Sequence, residues 1–265
     1  MYKFKKSLGQ NFLVDKNIIN KIINIENLYN QHVFEIGPGS GNLTNSIVEK
    51  KPKSIFLIEK DYSLYKILKE NFKYSEKYKI LNGDILKYDL NNYNFKEVII
   101  FGNLPYNIST QILAKFIKIK SWPPFYKKII FMFQKEVADR ILAKPNTKNF
   151  GRISILANLK FDMINNFSIS KKCFFPEPKV DSKIIVFKPK DKINFNISNI
   201  ENLEKITQIF FSSKRKMINK AFIKIFKNHK EISKILNLNL SSRPSELSYD
   251  TYYKITELYE KYKKN

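Results

Sequence analysis

Four short stretches hold the residue types from which a chemical site can be built. Gly102-Asn103-Leu104-Pro105-Tyr106-Asn107 closes one apolar run, Glu35-Ile36-Gly37-Pro38-Gly39-Ser40-Gly41 closes another, and Glu59 and Asp84 each follow a run of their own. An amide side chain followed by X-Pro-aromatic suits the methylation of an exocyclic amine, whose lone pair is delocalised into its ring and must be localised before it can attack. The Asn103 side-chain carbonyl and the backbone carbonyl of Leu104 can accept the two amine hydrogens. Pro105 stiffens the turn that positions them, and Tyr106 offers a ring to a base taken out of its stack. Asn, Pro and Tyr standing alone would read as turn formers and packing, so the neighbouring motifs decide between the two.

Glycines at the end of a strand let the backbone turn sharply and approach a ligand that a Cβ would exclude. Such a turn by itself is compatible with a plain loop or with NAD, FAD or S-adenosylmethionine. The nicotinamide fingerprint G-x-G-x-x-G would need glycine at position 42, which is Asn42. The acid Glu35 ahead of G-x-G-x-G suits a ligand with an amino-acid ammonium and no pyrophosphate, which describes S-adenosylmethionine. Glu59 stands 18 residues beyond Gly41, where a carboxylate can accept hydrogen bonds from both ribose hydroxyls. Asp84 can accept one from an adenine amino group. Strand-end acids on one sheet edge lie where open α/β sheets bind ligands.

Those positions require a parallel sheet. Val33–Ile36, Ile55–Ile58, Ile80–Leu81, Val98–Phe101 and Ile129–Phe133 are short runs, mostly β-branched or aromatic, as buried parallel strands should be. Helical patterns lie between them: Asp15 capping Ile18, Ile19, Ile22 and Ile23; Leu64, Ile67 and Leu68; and Ile112, Leu113, Phe116 and Ile117. Repeated βα units predict a doubly wound α/β sheet. Met163–Ser170 and Lys183–Phe187 are predicted to complete it as an antiparallel edge. After Pro189 the strand signal stops, so the expected division is residues 1–189 and a small all-α region over 190–265. One helix there is expected to set Ile218, Ala221, Phe222 and Ile225 against a row of Lys216, Lys220, Lys224 and Lys227.

The 265 residues include 48 Lys+Arg and 24 Asp+Glu, a net charge of +24, with 43% hydrophobic residues. A disordered basic tail is excluded by that apolar content, and a polyanionic partner is implied. Residues 191–265 carry 15 Lys+Arg and 8 Asp+Glu, a net of +7, which leaves +17 on residues 1–190. The charge is therefore no isolated basic module, and a general lysine bias can supply part of it. Cys173 alone cannot form an internal disulfide, and His32 and His229 are far apart, so no zinc ligand set is expected. No apolar segment is long enough to span a bilayer, and a reducing, cytoplasmic setting without an export signal or membrane partner is expected.

On these motifs the chain resembles the ribosomal RNA adenine dimethyltransferases, which dimethylate N6 of two adjacent adenosines in the hairpin near the 3′ end of small-subunit rRNA. The similarity runs nearly the full length. Lys6-Ser7-Leu8-Gly9-Gln10-Asn11-Phe12-Leu13 resembles the family's N-terminal segment, and the resemblance gives Asn11 and Leu13 contacts to the cofactor. Gly37 and Glu59 match its glycine-loop and ribose positions, and Asp84 and Asn103 those at the cofactor adenine and the target amine. Phe174-Phe175-Pro176-Glu177-Pro178-Lys179-Val180-Asp181-Ser182 is similar to the loop F-x-P-x-P-K-V-[DN]-S. That register makes Phe174, ahead of its neighbour Phe175, the ring opposite Tyr106.

A sister group that methylates large-subunit rRNA and confers macrolide resistance shares these motifs. Leu104, the segment Phe150-Gly151-Arg152-Ile153-Ser154-Ile155, Lys214-Arg215-Lys216 and Arg243-Pro244-Ser245-Glu246-Leu247-Ser248 resemble the small-subunit group instead. Lys214 departs from an arginine common there, which puts a bidentate phosphate contact in doubt. The resemblance implies a Rossmann-like methyltransferase domain with a helical rRNA-binding domain, S-adenosyl-L-methionine as methyl donor, no metal, the immature small ribosomal subunit as partner, and a monomer. The large-subunit enzyme and a non-catalytic assembly factor on the same fold are the rival readings.

Overall fold

A computed structural model describes residues 10–73, 76–90, 93 and 95–264. The Lys6–Gly9 part of the N-terminal motif lies outside the described residues. In chain order the elements are β1 (Phe12–Leu13), α1 (Lys16–Ile23), β2 (His32–Ile36), α2 (Asn42–Glu49), β3 (Ser54–Glu59), α3 (Tyr62–Asn71), β4 (Tyr78–Asn82), β5 (Val98–Asn103), α4 (Ser109–Ile117) and β6 (Tyr126–Gln134). Then come α5 (Lys135–Ile141), α6 (Arg152–Lys160), β7 (Phe161–Ile169), β8 (Phe174–Phe175), β9 (Ser182–Pro189), α7 (Ile200–Phe211), α8 (Asn219–Ile225), α9 (His229–Ile235) and α10 (Tyr249–Lys264).

Seven strands form one sheet in the order β4-β3-β2-β5-β6-β9-β7. β4, β3, β2, β5 and β6 are mutually parallel, and β9 runs antiparallel to β6. Strand order turns around at β2, whose successors in the chain go to one side and later strands to the other. This is the switch point at which such sheets open a crevice. The apolar runs bury both sheet faces. Val33, Leu57, Ile99, Phe101, Ile130 and Met132 pack with α1 and α2 residues such as Ile22, Ile23, Leu43 and Ile47. Phe34, Phe56 and Tyr93 cluster on the opposite side, with the Phe34 and Tyr93 rings stacked 5.3 Å apart.

Helix starts follow from local chemistry. Asp15 caps α1 by accepting hydrogen bonds from the Asn17 and Ile18 amides at 2.9 and 3.0 Å. In α3, Leu64 and Leu68 are buried, but Ile67 is 41% exposed. The sequence expectation put it in the core; position 67 follows Leu64 by three, yet it falls on the rim of a narrow apolar stripe.

The chain divides into two compact units, one of residues 1–138 and 162–189, the other of 139–161 and 190–265. One break between the units falls after Pro189. The second unit, however, also takes in residues 139–161, because α6 packs with α7 and α10. Within this unit the Tyr253 hydroxyl donates to the Ile155 carbonyl at 2.8 Å, and the Tyr252 hydroxyl to the Pro244 carbonyl at 2.6 Å. Glu260 receives the Ser198 and Asn199 amides at the start of α7. The expected lysine row is not one helix face. α8 is only seven residues long, since the Ile218 and Asn219 amides donate to the Ser242 and Leu240 carbonyls and the chain turns extended at Phe226. Lys216 and Lys227 fall outside it, while Ile218 and Phe222 are buried as expected.

Candidate active site

A cleft opens at the C-terminal ends of β2, β3, β4 and β5. It is lined by Gln10, Asn11 and Phe12, by Ile36, Gly37 and Gly39, by Ile58, Glu59 and Lys60, by Gly83, Asp84 and Ile85, and by Asn103–Ile108 with Ile112. The expected residues Asn11, Gly37, Glu59, Asp84, Asn103, Leu104 and Tyr106 thus share one cleft in the first unit.

The glycine turn is built by left-handed backbone. Gly37, Gly39 and Gly41 have φ of 66°, 59° and 84°, a region that disfavours any Cβ. At Gly39 a Cβ would also lie 2.6 Å from the Phe12 ring. Glycine there brings backbone amides close to the next strand end: the Gly39 amide donates to Glu59 Oε2 at 3.1 Å and the Asp61 amide to Oε1 at 2.7 Å. Glu59 is 6% exposed. Burial raises its pKa, and these backbone donors oppose the rise. Each carboxyl oxygen keeps acceptor capacity beyond its one backbone donor, as two ribose hydroxyls require.

Asp84 follows β4. Its Oδ1 accepts from the Leu86 amide at 2.9 Å, and its Oδ2 pairs with Lys60 Nζ at 2.9 Å. Burial pushes its pKa up, but Lys60 and the Leu86 amide outweigh that and leave it lowered. Asp84 is therefore an ionised acceptor at neutral pH. Lys60 is a cleft residue that sequence reasoning missed, although it directly follows Glu59.

At the end of β5, Asn103 Nδ2 donates to the Asn11 carbonyl at 3.0 Å. Pinning the amide nitrogen fixes the orientation of the group and leaves Oδ1 as its acceptor. Gly102 lets the Leu104 side chain tuck in, because a Cβ at position 102 would meet Leu104 Cδ2 at 2.6 Å. Leu104 is accordingly buried, which holds its backbone at the cleft. The Tyr106 hydroxyl shares a 2.6 Å hydrogen bond with Ser182 Oγ. Burial raises the Tyr106 pKa against the pull of Ser182, so the phenol stays neutral and the ring is tethered at its far end.

Three expected residues sit elsewhere. Glu35 does not line the cleft; strand alternation turns it to the side opposite Ile36. It is 2% exposed and accepts a 2.7 Å hydrogen bond from the Thr44 hydroxyl, and burial pushes its pKa up to about 8. A carboxyl protonated at neutral pH gives no anionic partner to an ammonium. Leu13 and Phe174 are also core residues. β1 and β8 form a two-stranded antiparallel sheet with Leu13 opposite Phe174 and Phe12 opposite Phe175. Alternation sends the first pair inward, and Phe174 is only 3% exposed. Leu13 contributes its carbonyl, which accepts from Asn42 Nδ2 at 2.8 Å.

Sequence reasoning missed Gln10, Phe12, Lys60 and Ser182. Gln10 Nε2 donates to Asp61 Oδ2 at 3.0 Å. Each is tied to the site by a contact spanning tens of residues, except Lys60, which adjacency to Glu59 could have signalled. In the second unit, Lys148, Arg215 and Arg243 line a separate cavity of about 390 Å³. Lys214 Nζ lies there too but is committed to the Lys148 and Phe150 carbonyls at 2.6 and 2.7 Å. Among the described residues no group of three or more His, Cys, Asp or Glu is placed to hold a metal ion, and no helix is long and apolar enough to cross a membrane.

Known proteins resemble this chain in sequence and fold. The chain is 45% identical over 258 residues to the ribosomal RNA small subunit methyltransferase A of Pelagibacter ubique, covering 97% of each chain. It is 40% identical over 237 residues to the protein of the same name from Mycoplasmopsis synoviae, covering 89% of each. A dimethyladenosine transferase from Plasmodium falciparum has a similar structure, with a TM-score of 0.77 at 24% identity, covering 94% of this chain and 98% of that one. The 23S rRNA methyltransferase ErmE matches with a TM-score of 0.68 at 19% identity, covering 94% and 99%. At those identities the two structures speak for the fold: a Rossmann-like α/β methyltransferase sheet with a helical C-terminal part. The family model described as ribosomal RNA adenine dimethylase matches residues 1–261, and the chain belongs to that family.

Proposed function

We propose that this protein is a S-adenosylmethionine-dependent enzyme that dimethylates N6 of two adjacent adenosines in the 3′-terminal hairpin of small-subunit rRNA, during assembly of that subunit in the cytoplasm. The observation that carries the reading is the Asn103 amide, pinned through Nδ2 to the Asn11 carbonyl so that Oδ1 is the acceptor offered to a substrate amine.

The donor set of the cleft fits the methyl donor. Glu59 would accept the ribose hydroxyls, Asp84 the adenine amino group, and the left-handed backbone at Gly37 with Asn11 would leave room for the remainder. Bound there, S-adenosylmethionine supplies a methyl on a positively charged sulfonium, which is itself a good leaving group. The chain's task is orientation. Asn103 Oδ1 and the Leu104 carbonyl accept the two N6 hydrogens and draw the lone pair out of conjugation with the ring. Tyr106, held at its hydroxyl by Ser182, gives the flipped base a face to stack on. Each transfer breaks the methyl–sulfur bond, and the methylated nitrogen then gives up a proton to water; the monomethylated amine keeps one hydrogen, which either acceptor can still hold for the second. Arg215, Arg243 and Lys148 offer phosphate contacts. The relatives named for the small subunit favour that substrate over the large one.

Primer extension on rRNA from cells lacking this protein tests the proposal, because dimethylated adenosines stop reverse transcription. Two adjacent stops near the 3′ end of the small-subunit rRNA should vanish and return with the wild-type gene. Stops lost from the large-subunit rRNA would assign the sister activity, and no lost stops at all would leave a non-catalytic assembly factor.

A further inference from the structure

We infer that Lys60 sets the preference of the cleft for a 6-amino purine, by clamping the carboxylate of Asp84 where it can accept an amino hydrogen. This rests on the proposed use of S-adenosylmethionine and adds a positioning residue to its adenine end.

An ion pair between surface side chains is ordinarily worth little, because water screens it and two long chains must be ordered to make it. Lys60 and Asp84 differ from that case. Both line the cleft. The Lys60 side chain is 56% exposed but that of Asp84 only 17%, so the carboxylate has little water at hand to replace a lost cation. Both of its oxygens are also engaged, Oδ1 by the Leu86 amide and Oδ2 by Lys60 Nζ, each at 2.9 Å. One donor on each oxygen stops the carboxylate from turning about its Cβ–Cγ bond and leaves each oxygen further acceptor capacity. Without Lys60 a single tether remains, about which the group can swing.

The backbone of Lys60 is held as well as its ammonium. The Glu59 carbonyl accepts from the Gly83 amide and from Asn82 Nδ2, each at 2.9 Å, and Asn82 Nδ2 also donates to the Lys60 carbonyl at 3.3 Å. On the other side, the Asp61 carboxylate caps α3 by accepting from the Ser63 amide at 2.9 Å. The end of β3 and the turn after β4 are thus joined by backbone and by the Lys60–Asp84 pair, and Lys60 stands between the acceptors proposed for ribose and adenine. The other cations near Asp84 are not placed for this role. Lys87 acts on it through charge alone, and Lys115 Nζ, from α4, donates to the Leu86 carbonyl at 3.0 Å. An ionised carboxylate fixed in this way accepts from an amino group and meets a carbonyl oxygen as acceptor against acceptor. The cleft should therefore discriminate adenine from hypoxanthine, which carries an oxygen at the same position.

Calorimetry on the full-length protein tests this with S-adenosylhomocysteine and its inosine counterpart, in which an oxo group replaces the 6-amino group. The two compounds have the same charge, so loss of a cation by itself acts on both alike. Wild type should prefer the adenosine compound. Lys60→Met should reduce that preference by about three- to five-fold, and Lys60→Arg should keep most of it. Lys87→Met, the same loss of charge beside the same carboxylate, should leave the preference unchanged. A pH series gives a second readout. Burial raises the Asp84 pKa, while Lys60, the Leu86 amide and Lys87 lower it, so without Lys60 the carboxylate takes up its proton at higher pH. The acid-side loss of affinity for the adenosine compound should accordingly begin at a higher pH in Lys60→Met than in wild type. No preference in wild type, an undiminished preference in Lys60→Met, or an equal loss in Lys87→Met overturns the inference. A wild-type protein that does not bind S-adenosylhomocysteine at all would sink the cofactor reading as well, whereas tight binding with a preference indifferent to Lys60 sinks the inference alone.

Discussion

The ends of the parallel strands and the β1–β8 ribbon supply residues to the same cleft, yet they are built in opposite ways. At the strand ends a functional group is fixed by its own neighbours: Glu59 by the Gly39 and Asp61 amides, Asn103 at the end of a six-residue strand with five of its residues buried. The ribbon consists of two strands of two residues each, more than 150 positions apart, held by a few ties to the sheet. Its side chains exchange faces with a shift of one residue: Leu13 and Phe174 are buried, and Phe175 is exposed. A site can take its reacting groups from rigid strand ends and its covering from a lightly held ribbon, and the two should respond differently to substitution.

The largest difference is expected for Asn103→Ala at a strand end. Removing the oriented carbonyl should reduce methylation by roughly 10²–10³-fold, as for other transition-state hydrogen-bond partners. Cofactor affinity, which we propose Glu59 and Asp84 carry, should change little in calorimetry. A variant as active as wild type would show that Asn103 does not hold the amine.

Next comes Glu35→Gln, which separates a strand-end acid that serves the cleft from one that serves the core. The folded chain keeps a proton on Glu35 up to about pH 8, while the unfolded chain releases it near 4.5. Between those values the native state binds more protons, so Glu35 makes stability fall as pH rises through the window. Glutamine still accepts from Thr44 and does not titrate. Relative to wild type the variant should gain stability as pH rises from 4.5 to 8 or 9, by roughly 4–5 kcal/mol, and show no such advantage below pH 4.5. An unchanged difference across that range would mean that Glu35 is ionised in the folded protein.

Much of the strand-end region was legible in the sequence because its signals are local. Apolar runs marked the strands, glycines the turn, and Asp15 the start of α1. Phe174 and Leu13 lie in the core, an orientation that depends on a pairing of two-residue strands that no periodicity can reveal. Glu35 was misplaced for a related reason: a strand end gives proximity to the cleft, but alternation decides the face. Ser182, Gln10 and Asn42 act through partners 76, 51 and 29 positions away, and only folding brings those together. The lysine row failed because Ile218 and Asn219 spend their amides on the 240–242 segment, a competition that a helical wheel does not include.

Gly39→Ala acts where the two regions touch. An alanine at φ 59° whose Cβ would sit 2.6 Å from the Phe12 ring combines left-handed strain with displacement of the ribbon, for about 2 kcal/mol. Chemical denaturation should show that loss together with weaker cofactor binding, since Phe12 cannot move without disturbing the cleft. Wild-type stability and affinity would mean that the Phe12 ring yields freely and that the ribbon does not shape the site.

The smallest effect isolates the ribbon's own attachment. Asn42 stands where a dinucleotide fingerprint would place glycine, and its side chain instead donates to the Leu13 carbonyl, tying the first residue of α2 to β1. Asn42→Ala removes one neutral, part-buried hydrogen bond, worth about 1 kcal/mol. The global melting temperature should therefore shift only slightly. The loss should be concentrated in the ribbon, because the strand ends keep all their own bonds, so hydrogen exchange should quicken at β1 and β8 and stay unchanged at β2, β3 and β5. Uniformly faster exchange across the sheet would show that ribbon and strand ends open as one unit, and the contrast between them would fall.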